Sequence, residues 1–157
     1  MVKLAQEVID FFHKQGFVIV STLDSRGRIH CSAKGIAGIE EKGEIYLIDV
    51  YRAQTFNNLN NNPTISITAV NEHEFKGYTL KGEGKIVERE KIKSHIIKSW
   101  EQRVIDRISK RVIKNVQRDK GSSTHPESRF PHPQYLIEME VQEIVNLAPA
   151  HLKQPPK

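Results

Sequence analysis

The sequence predicts a mainly β fold, a closed or nearly closed six-stranded antiparallel barrel with flanking helices. Three observations predict it. Six segments carry the period-two alternation or the apolar run of a strand. Tight polar or glycine-bearing turns join most of them, which suits hairpin order. The segments are long and closely spaced, with one short helix among them, and antiparallel sheets of that kind remove their edges by closing. A chain of 157 residues suits one domain with a core of its own. Residues 1–150 read as that domain and residues 151–157 as a tail that frays.

Leu4, Val8, Phe11 and Phe12 recur at helical spacing, so residues 3–15 read as an amphipathic helix closed by Gly16. Phe17-Val18-Ile19-Val20-Ser21-Thr22-Leu23 follows as a buried strand, and Asp24-Ser25-Arg26-Gly27 as a hairpin turn. A second strand covers residues 28–40, where Gly35 and Gly38 predict a bend or bulge. Glu41-Lys42-Gly43 turns the chain into a third strand over residues 44–49. A short helix comes next, and Asn60-Asn61-Asn62-Pro63 ends it. Ile65, Ile67 and Ala69 then alternate with Thr64, Ser66 and Thr68. Residues 77–87 form a long strand with Tyr78, Leu80 and Ile86 on one face. The last strand covers residues 135–147, and a slip of phase at Glu143-Ile144 predicts a bulge.

Residues 89–117 are helical with two apolar stripes. Ile92, Ile96, Ile97, Trp100 and Val104 make one; Val104, Ile105, Ile108, Val112 and Val116 make another, turned by roughly 100°. One straight helix cannot bury both in one groove. It bends near Val104, or its second half packs on another surface, most simply a second copy of the chain. Residues 121–127 read as a loop.

Composition excludes several classes. The single cysteine, Cys31, rules out a disulfide framework and a cysteine-rich zinc site, and favours the cytoplasm. The start lacks the apolar run of a signal peptide, and no stretch approaches the ~18 apolar residues of a membrane span. The net charge of +5 is local: residues 89–120 hold eleven Lys/Arg against four Asp/Glu, and the remainder thirteen against fifteen. A solvated helix face or a packed interface explains that excess better than nucleic acid does, because the helix lacks interleaved aromatics for base stacking. The seven histidines include no i, i+4 metal pair, and His125 and His132 sit beside prolines in a loop, so no metal site is expected. No Gly-x-Ser-x-Gly elbow occurs. Gly82-Glu83-Gly84-Lys85 lies inside a strand and lacks the helix of a phosphate loop. Cys31 is expected to be packed rather than nucleophilic.

One constellation suggests chemistry. The period of two sets His30, Ser32 and Lys34 on one strand face. Arg52 lies in the turn before the short helix and Thr55 in its first turn. A helix start offers free N–H groups and partial positive charge, so a hydroxyl and a guanidinium there make a cradle for a phosphate.

The order of these elements, with Phe56-Asn57-Asn58-Leu59, then Pro63-Thr64-Ile65-Ser66-Ile67, then Gly77-Tyr78-Thr79-Leu80-Lys81-Gly82-Glu83-Gly84, resembles the pyridoxamine 5′-phosphate oxidase-like FMN-binding split-barrel proteins. The resemblance covers residues 3–88 in order and 135–147 more loosely. It implies a split barrel, a homodimer, and one FMN in each of two interface clefts. The flavin phosphate would sit against the second strand and the turn opening the short helix. On this chain those positions are Ser32, Ala33, Lys34, Asp49, Val50, Arg52, Gln54 and Thr55. Many members place a basic residue just inside this helix, where Gln54-Thr55 stands here, so Arg52 or Lys34 would supply the charge. The true oxidase carries a Trp and an Arg-x-His group near its C-terminus. This chain has Leu147-Ala148-Pro149-Ala150-His151-Leu152 there, so oxidation of pyridoxamine phosphate itself is not expected. The resemblance implies an FMN flavoprotein that serves as an oxidoreductase or electron carrier for a small molecule or redox protein. A deazaflavin-dependent reductase of the same fold is the first alternative and a basic barrel binding nucleic acid the second. Haem binding is disfavoured, since no histidine has an axial place.

Overall fold

The computed structural model describes residues 2–116 and 135–153, apart from the side chains of Arg89 and of residues 107–116. The elements are α1 (Gln6–His13), β1 (Val18–Leu23), β2 (Ile29–Ile39), β3 (Glu44–Asp49), α2 (Gln54–Asn61), β4 (Thr64–Asn71), β5 (Lys76–Glu88), α3 (Ser94–Val116) and β6 (Tyr135–Asn146). All six strands pair antiparallel and close into a barrel in the order β1-β2-β3-β6-β5-β4, with β4 returning to β1. The six-stranded antiparallel barrel with helices that the sequence predicts is the fold observed. Turn chemistry fixes the hairpins. Asp24 Oδ1 accepts the backbone N–H groups of Arg26 and Arg28, and Gly27 takes a φ of 74°, a conformation open to glycine at little cost.

Alternation sorts the strand residues into an inner and an outer face. Val18, Val20, Ile45, Leu47, Ile65, Ile67, Leu80, Ile137 and Met139 fill the interior. Burying each aliphatic side chain of this kind is worth about 1.5–3 kcal/mol. The α1 residues Leu4, Val8, Phe11 and Phe12 belong to the same cluster, and the Phe11 ring meets Tyr78 edge-on at 5.2 Å. From α2, Leu59 enters the interior near β5, where a Cβ on Gly84 would stand 3.3 Å from it. A second cluster lies outside the barrel wall. There Ile96, Ile92 and Trp100, from α3 and the turn before it, cover Ala37, Tyr46, Ile48 and Leu136.

The bend predicted in the second strand is a bulge. Ile39 faces Ile45 and Gly38 faces Tyr46, but Ile36 faces Leu47, so Ala37 is the extra residue. Two side chains of α3 serve this irregularity. Ser99 Oγ donates to the Ala37 carbonyl and Arg103 Nη1 to the Ile36 carbonyl, each at 3.0 Å.

Several expectations are corrected. The first strand is not buried throughout: Phe17 is 53% and Ile19 46% exposed, because a barrel wall has an outer face that only a covering element can bury. Cys31 is exposed rather than packed for the same reason, with its thiol 3.4 Å from Ser21 Oγ. The bulge expected at Glu143-Ile144 falls at Gln142, since Lys81 faces Glu143 and Gly82 faces Val141. At the boundary between the expected domain and tail, Ala150–Leu152 form a 3-10 turn. The helix expected over 89–117 begins at Ser94 and is continuous to Val116. Its first stripe packs on the barrel, and Ile105 is 55% exposed. The side chains of Ile108, Val112 and Val116, and of Arg107, Lys110, Arg111 and Lys114, lie outside the described residues, as do residues 121–127, His125, His132 and residues 154–157. Among the described residues no helix is long and apolar enough to cross a membrane.

Candidate cofactor site

The candidate site forms where α2 meets the ends of β2 and β3. Ser32 lies opposite Val20 and Lys34 opposite Val18 in the β1–β2 register, so both share the face of two interior valines. Ser32 Oγ is 3.0 Å from Thr55 Oγ1, and Thr55 is buried. Two more polar links pin the helix: Gln54 Nε2 donates to Asn58 Oδ1 at 2.7 Å, and Asn58 Nδ2 to Thr22 Oγ1 at 2.9 Å. Asn58 and Thr22 are buried, so this pairing meets the need of buried polar groups for partners. Ala53 caps α2 without a side-chain hydrogen bond, and the first turn carries no acidic residue. Its leading N–H groups therefore rely on a partner from outside the helix.

The bulge at Ala37 shifts the β2–β3 register by one, and the shifted register, continued one residue past Gly35 opposite Ile48, brings Lys34 beside Asp49. Lys34 Nζ meets Asp49 Oδ1 at 2.8 Å, with the two side chains 12% and 2% exposed. Oδ1 also lies 3.4 Å from the Tyr51 backbone N–H. Tyr135 is opposite Asp49 in the β3–β6 register and donates its hydroxyl to the Tyr51 carbonyl at 3.0 Å. Burial first, then the nearby Asp49 carboxylate, hold the Tyr135 phenol well above its ordinary pKa, so it stays a neutral donor. Asp49 Oδ2 is buried without a partner among the described residues.

Arg52 is built in by aromatic packing. Its guanidinium lies 4.8 Å from the Phe56 ring centroid and 5.3 Å from that of Tyr135, and the two rings meet edge-on at 5.1 Å. Its Nη2 donates to Glu88 Oε2 at 2.7 Å, and the side chain remains 48% exposed. The site thus holds two cations, each beside a carboxylate.

Of the residues proposed from sequence, Ser32, Lys34, Asp49, Arg52, Gln54 and Thr55 come together around the turn into α2. Two do not turn their side chains there. Ala33 is exposed on the outer face opposite Ile19, and Val50 packs on the cluster under α3. Lys34 is not the free clamp its strand face suggests, since Asp49 already holds it. Sequence reasoning missed Tyr135, Phe56 and Glu88. Phe56 was within reach, because it stands four residues after Arg52. Tyr135 and Glu88 arrive through long-range strand pairing, which leaves no local signal.

Residues 4–147 match the family model for pyridoxamine 5′-phosphate oxidase. The chain belongs to the pyridoxamine 5′-phosphate oxidase family. Among curated protein sequences none matches it. Solved structures share the family fold at low identity. HupZ of Group A Streptococcus is 18% identical, with 92% of this chain and 94% of that one covered at a TM-score of 0.64. A protein related to general stress protein 26, of the pyridoxinephosphate oxidase family, from Clostridium acetobutylicum is 16% identical, with 94% and 89% covered at 0.59. An F420 reductase is 9% identical, with 92% and 98% covered at 0.54. At these identities the likeness is one of fold.

Proposed function

We propose that this member of the family binds FMN and serves as an oxidoreductase or electron carrier, working as a homodimer on a small molecule or redox protein, and that it is not the pyridoxamine phosphate oxidase itself. The observation that carries the reading is the start of α2. An uncapped first turn without acidic residues lies beside the Ser32–Thr55 hydroxyl pair and the ring-braced Arg52. That donor set suits the phosphate of FMN. In this reading Thr55, Ser32 and the leading N–H groups of α2 hold the phosphate, with Arg52 adding charge from the exposed side. Gln54 fixes the helix through Asn58, and Asp49 fixes the preceding turn. Lys34 contributes only as far as Asp49 releases it. Bound FMN supplies the redox chemistry, and the chain supplies binding and orientation.

The dimer has a motive in the same structure. Phe17, Ile19 and Val70, on the neighbouring strands β1 and β4 and the approach to them, are exposed by 53%, 46% and 63%. Apolar groups gathered on an outer face mark an association surface.

Titration of the purified protein with FMN, followed by flavin fluorescence, tests the cofactor. Saturation at one FMN per chain, with riboflavin weaker, is the expected result. Absence of saturable FMN binding overturns it. A deazaflavin is the second reading, favoured by the shared fold of the F420 reductase. A parallel titration in which F420 binds and FMN does not would install it. Light scattering tests the dimer, which should give twice the 18.0 kDa chain mass.

A further inference from the structure

Asp49 carries the most deeply buried charge of the candidate site. Its side chain is 2% exposed, and only Oδ1 is served, by Lys34 Nζ at 2.8 Å and the Tyr51 N–H at 3.4 Å. Among the described residues Oδ2 is buried without a hydrogen-bond partner. Tyr135, across the register, donates its hydroxyl to the Tyr51 carbonyl at 3.0 Å and also stands close enough to Asp49 for the two side chains to interact. Arg52 is taken by Glu88. The described site therefore has no surplus positive charge to offset the unserved side of the carboxylate. Charges a few ångströms apart interact strongly away from bulk water, and a phosphate entering beside this carboxylate meets repulsion as well as donors.

We propose that Asp49 is a charge gate: it holds Lys34 back from the ligand and lowers the affinity of the site for a phosphate-bearing ligand relative to the same ligand without phosphate. The gate rests on the phosphate reading of the α2 start given above. It makes Asp49 a specificity-determining residue rather than a passive neighbour. Asp49→Asn keeps the side chain's shape, removes its charge, and offers an N–H where Oδ2 now stands. It also frees Lys34 for a charge-assisted bond to phosphate.

The test compares FMN with riboflavin on the full chain by flavin fluorescence. In Asp49→Asn, FMN should tighten about tenfold, the scale of one added charge-assisted bond, with riboflavin moving by less than about twofold. The double variant Asp49→Asn/Lys34→Met should lose that gain, because it removes the cation the gate releases. FMN unchanged or weaker in the single variant, both ligands shifting alike, or the gain surviving in the double variant would each overturn the proposal. Should Asp49→Asn not fold, Asp49→Ser carries the same comparison. If the parent binds no flavin, the FMN reading fails but the gate is still readable with inorganic phosphate. The backbone amide NMR shifts of Tyr51 and Thr55 should then saturate at lower phosphate in Asp49→Asn than in the parent, and equal midpoints or no shifts overturn the gate.

Discussion

Arg103 of α3 meets Nδ1 of His13, the last residue of α1, so the helix on the barrel flank is tied to the helix across the barrel end. The same guanidinium donates to the Ile36 carbonyl at 3.0 Å. The imidazole must be neutral to accept from Arg103. Burial first, and then the Arg103 charge, hold the His13 pKa below its ordinary 6.5, against an opposing pull from Asp10.

A pH dependence follows from that direction. The folded chain resists protonating His13 while the unfolded chain does not, so this contribution is complete above about pH 6.5 and is lost as pH falls through the lowered folded value. Trp100, the single tryptophan, belongs to α3, packs against the barrel wall and reports the helix's docking. Its emission should shift to the red on acidification from pH 7.5 to 5. His13→Gln should flatten that transition. His95→Gln, on the same helix beside Glu40 at 4.0 Å, should leave it.

Arg52→Ala should lower stability, since it removes a cation stacked on two rings. It should also weaken FMN roughly tenfold while sparing riboflavin, by loss of a charge-assisted bond. Arg52→Lys keeps the charge without the flat stacking surface and should recover only part of each loss. Urea unfolding and the two flavin titrations measure both quantities. Equal losses for FMN and riboflavin would argue that Arg52 only holds the fold.

Thr55→Val is close to isosteric and leaves the Ser32 hydroxyl without its 3.0 Å partner. The expected cost is about 1 kcal/mol in unfolding free energy. FMN affinity should fall as well, because the lost hydroxyl stands at the start of α2. Unchanged FMN affinity in a folded Thr55→Val protein would move the phosphate away from this helix.

Two strand glycines should respond differently to alanine. A Cβ on Gly82 would stand 1.9 Å from the Glu140 backbone oxygen, a contact that the backbone at the Gln142 bulge must yield to relieve. Gly82→Ala should therefore destabilise by more than about 3 kcal/mol or fail to fold. A Cβ on Gly84 would meet side-chain carbons of Ile65 at 3.1 Å and Leu59 at 3.3 Å, which can shift. Gly84→Ala should cost about 1–2 kcal/mol. Comparable midpoints in urea for the two variants would contradict this ranking.

The barrel was legible because each strand states its own face. Ile65, Ile67 and Ala69 alternate with polar residues in the sequence and point inward in the structure. The short helix was legible from its stop signals, and Thr55 from its distance to them. Pairings set by register were not legible. Simple hairpin counting back from Ile39 opposite Ile45 would set Lys34 opposite Val50, and only the extra residue at Ala37 brings it to Asp49. Glycines 35 and 38 suggested a bulge somewhere in that strand, but not which residue it would skip. Cys31 and Phe17 failed for another reason. Alternation tells which residues share a face, and only the tertiary packing tells whether that face is covered.

The skipped rung at Ala37 also shows where the charge of the candidate site is written. On one side it presents two carbonyls to Ser99 and Arg103 of the flanking helix, and on the other it sets which cation answers Asp49. Neither outcome depends on the chemistry of the alanine methyl. Both depend on the number of residues between Lys34 and the turn at Gly43. A point substitution at position 37 tunes packing under α3, whereas removing the residue would detach the helix donors and exchange the Lys34–Asp49 pair in one step. The charge pairing of this site is encoded in chain length, so insertions and deletions in β2 are the changes that can give the same barrel a differently charged surface beside α2.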